Sequence, residues 1–347
     1  MYFLNYKLYF TLFLVFIVQS IAFSHHSRSY FSEEIYEVEG ELIDFTWGNP
    51  HIRFKLSGVD SSGQPIIWDI EAGSIYMLQR TGLSQDLFEI GSNMKFAGRV
   101  STLNSADVLA TNVLLQDGTE AIIIPTAQPR WPSDNIGGLD QWETNLSELS
   151  KAKAENRGIF RVWSIPDPRA SEYRSYYLPF KEEAILARES WDPVDNWAVR
   201  CVPPGMPSAM NMNPHPIEFT DKGDIIELFL EENAILRTIY LDQNLLAEQQ
   251  PFGPLGFSSG FWQDQNTLVV ETSRIDFPNL DRDGTPQSKN ILIHEIFTIS
   301  DDQSRLSYRM TINEPLIFTD NATIDIYWLA LGEQVEPSIC NPSMASQ

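Results

Sequence analysis

Apolar and polar positions alternate with period two over much of this chain, which predicts strands rather than helices. Residues 36–45 alternate over most of their length, and residues 51–56 place Ile52, Phe54 and Leu56 on one face. Turn residues fill the stretch from Gly58 to Pro65, and residues 65–70 resume the pattern, which predicts a hairpin. Further strands are expected at 93–100 and 110–115, with a short helix over 74–80. About five strands and one helix within residues 25–120 fit a small Greek-key barrel of OB type.

The distal part, residues 201–347, alternates more regularly. Strands are expected at 225–230, 236–241, 267–272, 291–299, 305–312 and 323–329, with Asp- and Gly-rich turns between them. Consecutive antiparallel strands of this kind predict an up-and-down barrel or a strongly bent sheet. Residues 121–200 have a different texture: Pro and Trp punctuate them, and one short helix is expected over 146–154. No phosphate loop, dinucleotide fingerprint or βα alternation is present, so an α/β fold is disfavoured. The expected class is all-β: an OB-like barrel, a Pro/Trp-rich connecting segment, and an antiparallel barrel-like domain.

Composition sharpens this picture. Hydrophobic residues make up 43% of the chain and aromatic residues 12%, as expected of a folded, sheet-rich protein. The 24 basic and 47 acidic residues leave a formal charge of −23, which repels nucleic-acid backbones and anionic lipid surfaces. Residues 1–24 combine Lys7, an apolar run and a small-residue end, the pattern of a signal peptide. The alternative, an uncleaved anchor, is opposed by Gln19 and Ser20, which interrupt the run before it reaches spanning length. The expected location is therefore periplasmic or extracellular, with no membrane insertion after cleavage. In such a compartment Cys201 and Cys340 are candidates for one disulfide, contributing roughly 4–5 kcal/mol by loop-closure arithmetic. Two free thiols or thiolate ligands are the alternative.

Several stretches carry a resemblance when taken in order. They are His25-His-Ser27, Trp47-Gly-Asn-Pro-His51, Cys201-Val-Pro-Pro-Gly-Met-Pro207, Arg237-Thr-Ile-Tyr-Leu-Asp242, and Gly256-x-Ser258-x-Gly260-x-Trp262 leading into Thr267-Leu-Val-Val-Glu-Thr272. As a set the chain resembles a family of secreted bacterial proteins of uncharacterised function. That resemblance implies export and two β domains, the first a small β-barrel, and no established activity. Where the family tends to end in Cys-His-Glu, Cys340 is followed here by Asn341-Pro342.

Three chemistries compete. If cleavage follows Ser24, the amino group and ring of His25 form a chelate, with His51 as a third nitrogen and His26 as another donor; such a set suits copper(II). The plainer reading is a frayed terminus and a strand-initiating His51. The distal barrel could instead enclose a small apolar ligand against Tyr240, Trp262, Phe297, Tyr308 and Trp328. Those aromatics are equally the makings of an ordinary core. An enzyme would draw on Ser258, Glu271 and His294, but no strand–turn–helix elbow surrounds the G-x-S-x-G. A structural module of an envelope assembly is a further possibility, with sheet edges as its contacts. The leading expectation is an exported binding protein, with no certain cofactor, copper as the candidate, and an oligomeric state open.

Overall fold

The structure, a computed structural model, describes residues 31–48, 51–141, 146–166, 174–192, 195–211, 215–335 and 337. The segment read as a signal peptide, His25, His26 and Cys340 lie outside the described residues, and so does the pairing of Cys340 with Cys201.

The first sheet contains β1 (Phe31–Thr46), β2 (Arg53–Val59), β3 (Pro65–Glu71), β4 (Asn93–Ser101), β5 (Asp107–Leu114), β6 (Glu120–Ile122) and β7 (Asn135–Gly137). Helix α1 (Ile75–Gln79) follows β3, and Ser74 caps it by accepting from the Met77 amide. β1 pairs antiparallel with both β2 and β4, and β3 pairs parallel with β5, which closes the five strands into a ring. Antiparallel steps, one parallel closure and a helix after the third strand make this an OB-type barrel, as expected. Its interior is apolar: Leu42, Ile52, Phe54, Leu56, Ile70 and Phe96 are fully buried. The alternation of residues 51–56 is thus the core face of β2.

Closing so small a ring brings backbones together. Gly40 of β1 faces Gly58 of β2, and a Cβ at Gly40 would lie 2.1 Å from the Ser57 carbonyl oxygen. Backbone cannot yield as a flexible side chain does, so Gly40→Ala is expected to cost about 1–3 kcal/mol. Urea unfolding of the variant checks this, and an unchanged midpoint would show that the ring opens there at no cost.

The segment between the domains is not simply linker. β6 and β7 extend the first sheet, and the buried Glu120 carboxylate accepts from Asn112 and from the backbone amides of Arg130 and Trp131. α2 (Leu146–Glu155) matches the expected helix. Beyond it, β8 (Val162–Trp163) and β9 (Arg174–Tyr177) join the second sheet, and α3 (Glu182–Glu189) follows. Strands of two and four residues are too short for a periodicity to reveal.

The second sheet adds β10 (Ile217–Asp221), β11 (Ile225–Leu230), β12 (Ile235–Tyr240), β13 (Phe257–Trp262), β14 (Thr267–Ser273), β15 (Leu292–Ile299), β16 (Arg305–Asn313) and β17 (Ala322–Leu329). Its order is β8-β10-β11-β12-β13-β14-β15-β16-β17-β9, antiparallel except for the β12–β13 step. The sheet curls so strongly that Ser164, just after β8, exchanges two backbone hydrogen bonds with Leu329 of β17, at 2.9 and 2.8 Å. Inward residues alternate along each strand, as in Ile226, Leu228 and Leu230 or Leu306, Tyr308, Met310 and Ile312. Trp163 is fully buried and donates its Nε1–H to the Ile159 carbonyl at 2.8 Å.

One polar cluster fastens the first barrel to the second sheet. Arg80, after α1, donates to Tyr76 Oη at 2.9 Å, to Glu333 Oε1 at 2.7 Å and to the Pro166 carbonyl at 3.3 Å. Beside it His215 meets Glu231 at 2.9 Å, and the Tyr76 and His215 rings lie 6.0 Å apart.

Candidate functional site

The histidine of the Trp47-Gly-Asn-Pro-His51 stretch sits where two strands bring opposite charges together. β2 pairs with β3 so that Arg53 faces Glu71 and Lys55 faces Asp69. His51, two residues before Arg53, falls on the same face, while Ile52 between them enters the core. His51 Nδ1 meets the Glu71 carboxylate, whose second oxygen accepts from Arg53 at 3.1 Å; Arg53 also reaches Asp69 at 3.4 Å. Glu71 is nearly buried, whereas the His51 side chain keeps about a third of its surface exposed, at 33%. A ring that donates an Nδ1–H hydrogen bond to a carboxylate carries its lone pair on Nε2, the usual orientation of a metal-binding imidazole. Among the described residues, no three His, Cys, Asp or Glu side chains gather as a metal-binding group.

The second site lies inside the curled sheet. Arg237, Ser258, Thr272, Glu295 and Tyr308 are all buried, one from each of five adjacent strands. Arg237 clasps Glu295 with two hydrogen bonds, one of 2.8 Å from Nη1 and a second from Nη2. Nη2 also lies 3.0 Å from the Ser258 hydroxyl and 2.7 Å from that of Thr272, and Nε donates to Ser258 at 3.2 Å. Tyr308 donates to Glu295 at 2.8 Å, and Thr272 to the same carboxylate at 3.0 Å. Burial works against the Arg237 charge, yet the facing Glu295 carboxylate outweighs it and holds the guanidinium above its ordinary pKa. Burial, reinforced by Glu295, pushes the Tyr308 phenol well above 10.0. Every carboxylate oxygen of this network has a partner. Such a closed network holds strands in place; a reacting group needs an open position.

The enzyme candidates do not converge. Ser258 points inward to Arg237, whereas Glu271 and His294 stand on the outer face, Glu271 Oε1 and His294 Nδ1 4.0 Å apart and their side chains 73% and 46% exposed. Glu271 and Glu295 likewise occupy opposite faces, because positions differing by an odd step along paired strands point apart. A cavity of about 440 Å³ on that outer face is lined in part by Glu271, His294, Thr311 and Asn313, and Ser258 is not in its wall. The expected ligand-pocket residues divide as well. Phe297, Tyr308 and Trp328 are buried inside, with Phe297 and Tyr308 ring centroids 4.7 Å apart and Tyr308 and Trp328 5.6 Å apart. Tyr240 faces outward and stacks on Phe257 at 5.2 Å, while Trp262 ends β13 at the exposed rim. These five therefore do not line one space.

Reasoning from sequence had no means of pairing His51 with Glu71, since their contact depends on strand register. Arg237 and Glu295 were more legible, because each occupies the apolar parity of its strand.

The fold defines an all-β protein in which a closed OB-type barrel precedes a curled ten-stranded sheet. Residues 14–106 match a family of unknown function (DUF6152), a span that includes β1 to β4 and the His51–Glu71 pair. No curated protein matches the chain. Among the described residues no helix is long and apolar enough to cross a membrane.

Proposed function

We propose that this is an exported copper-binding protein whose first barrel supplies His51 as one ligand. The observation that carries the reading is the clasp of Glu71 on His51 Nδ1, braced in turn by Arg53. A carboxylate in that position fixes the tautomer and makes the ring a stronger donor. Signal cleavage after Ser24 would add the amino group and imidazole of His25, with His26 as a further donor. Three nitrogens in one plane suit copper(II), which leads the divalent affinity order. Export to an oxidising compartment also suits a Cys201–Cys340 disulfide and the acidic surface.

Glu71→Gln keeps the shape of the side chain and removes its charge, so it is expected to weaken copper(II) binding about 10–100-fold. His51→Ala should weaken it further, and an alanine inserted before His25 should break the chelate. Calorimetric titration of protein matured from its own leader, with paramagnetic resonance to count nitrogen ligands, reads all three. Unchanged affinity in Glu71→Gln and His51→Ala would overturn the proposal.

A further inference from the structure

A second cavity, of about 640 Å³, opens at the rim of the curled sheet and is unrelated to the His51 site. Three segments frame it: residues 156–160 after α2, the turn leaving β13, and the turn between β15 and β16. Trp262 stands in its wall, 36% exposed and held by an edge contact with Phe160 at 6.2 Å. Around it lie Asn156, Arg157, Gln265, Asn266, Asp301 and Gln303.

The frame is fastened in advance of any ligand. Gln303 takes the left-handed conformation, φ 63°, which turns its side chain so that Oε1 accepts from the Gly158 amide at 2.9 Å. Asn156 across the cavity is left-handed too, at φ 44°. The Asn266 carbonyl accepts from Ile299, and its amide donates to Asp264 at 2.8 Å. Hydroxyls of Ser304 and Ser300 hold Asp302 well below the usual carboxylate range, which keeps the second turn ionised and tied to Lys153.

We infer that this rim cavity binds a neutral saccharide, with one sugar ring laid on the Trp262 indole and its hydroxyls met by the surrounding amide, guanidinium and carboxylate groups. The cavity volume lies within the range of small-ligand sites. An indole face carries partial negative charge and accepts the C–H face of a pyranose. Each sugar hydroxyl both donates and accepts, and Gln, Asn, Arg and Asp supply both functions in planar pairs. So many polar groups would be left unpaired by an apolar ligand, and the chain's charge of −23 disfavours a polyanion.

Saturation-transfer NMR with cellobiose, chitobiose and maltose at millimolar concentration tests this on the full mature chain. At least one is expected to bind, and Trp262→Ala should weaken it by roughly tenfold or more. Trp262→Phe, which keeps an aromatic face, should recover part of the loss. Because Trp262 is at the rim, circular dichroism of Trp262→Ala should match the parent. Co-sedimentation with insoluble cellulose or chitin separates polymer binding from binding of free saccharide. No transfer to any of the three sugars, or transfer that Trp262→Ala leaves intact, would overturn the inference.

Discussion

Glu295→Ala is expected to destabilise the protein by about 3–5 kcal/mol, because it strands the Arg237 guanidinium inside the curled sheet. Arg237 is 1% exposed and Glu295 fully buried, so water cannot replace the lost carboxylate. Two large terms nearly cancel in the intact pair: desolvation of both charges, and their attraction at short range. Removing one partner leaves the desolvation and abolishes the attraction. Removing both is a different experiment. Arg237→Met combined with Glu295→Leu should recover most of that loss, falling short of the parent because the buried Tyr308 hydroxyl no longer has its acceptor.

The comparison also bears on why the pair exists. Among the described strands β12 and β13 form the one parallel step in this sheet, with Ile239–Ser258 and Tyr240–Ser259 as its registered pairs. Arg237 on β12 binds Ser258 on β13, Thr272 on β14 and Glu295 on β15, which reinforces that short step from inside. A slip of one residue would turn Arg237 or Glu295 outward and break every bond. The double variant is therefore expected to regain most of the parent's stability while losing sharpness in its unfolding transition. Urea titrations of the parent, single and double variants decide this. A single variant within about 1 kcal/mol of the parent would mean that water already reaches the pair.

What was legible in the sequence follows the same physics. β11 and β14 were expected almost to the residue, because Ile226, Leu228 and Leu230 alternate against polar neighbours and Thr267 to Thr272 is rich in β-branched residues. β13 was not among the expected strands. Gly260 is there because a Cβ would come 2.7 Å from the Ile239 side chain, so it marks close packing within a strand. The second sheet recruits β8 and β9 from the Pro/Trp-rich stretch through pairings too short to leave a period. Arg237 lies between Ile235 and Ile239, and Glu295 between Ile293 and Phe297, on the buried parity of each strand. That placement is a signal of a paired internal charge, whereas Glu271 and His294 occupy the outer parity. The Glu71 contact with His51 depends on β2–β3 register, which alternation alone leaves open.

Above pH 10 the protein should lose stability more steeply than its surface groups require, and Tyr308 should be a principal cause. Its folded pKa is raised, chiefly by burial and then by the Glu295 charge, while an unfolded tyrosine titrates at about 10. The sign follows from proton counts. Below pH 10 both states hold the phenolic proton and the contribution is complete. Between 10 and the folded value only the unfolded state releases it, so stability falls by about 1.4 kcal/mol per pH unit. Tyr76 adds in the same direction: desolvation and Glu333 raise its pKa, although Arg80 opposes them.

Tyr308→Phe isolates the effect. At pH 7 the variant should be less stable by about 1.5–3 kcal/mol, since Glu295 loses a hydrogen bond to a charged acceptor. From pH 10 upward that deficit should shrink by about 1.4 kcal/mol per unit and then reverse, because phenylalanine has no proton to release. Urea unfolding at pH 7, 10 and 11 measures the difference directly. Parallel curves across that range would mean that Tyr308 ionises alike in both states, with water reaching its hydroxyl inside the folded sheet. Converging curves would place the phenol in the same enclosed network that holds Arg237.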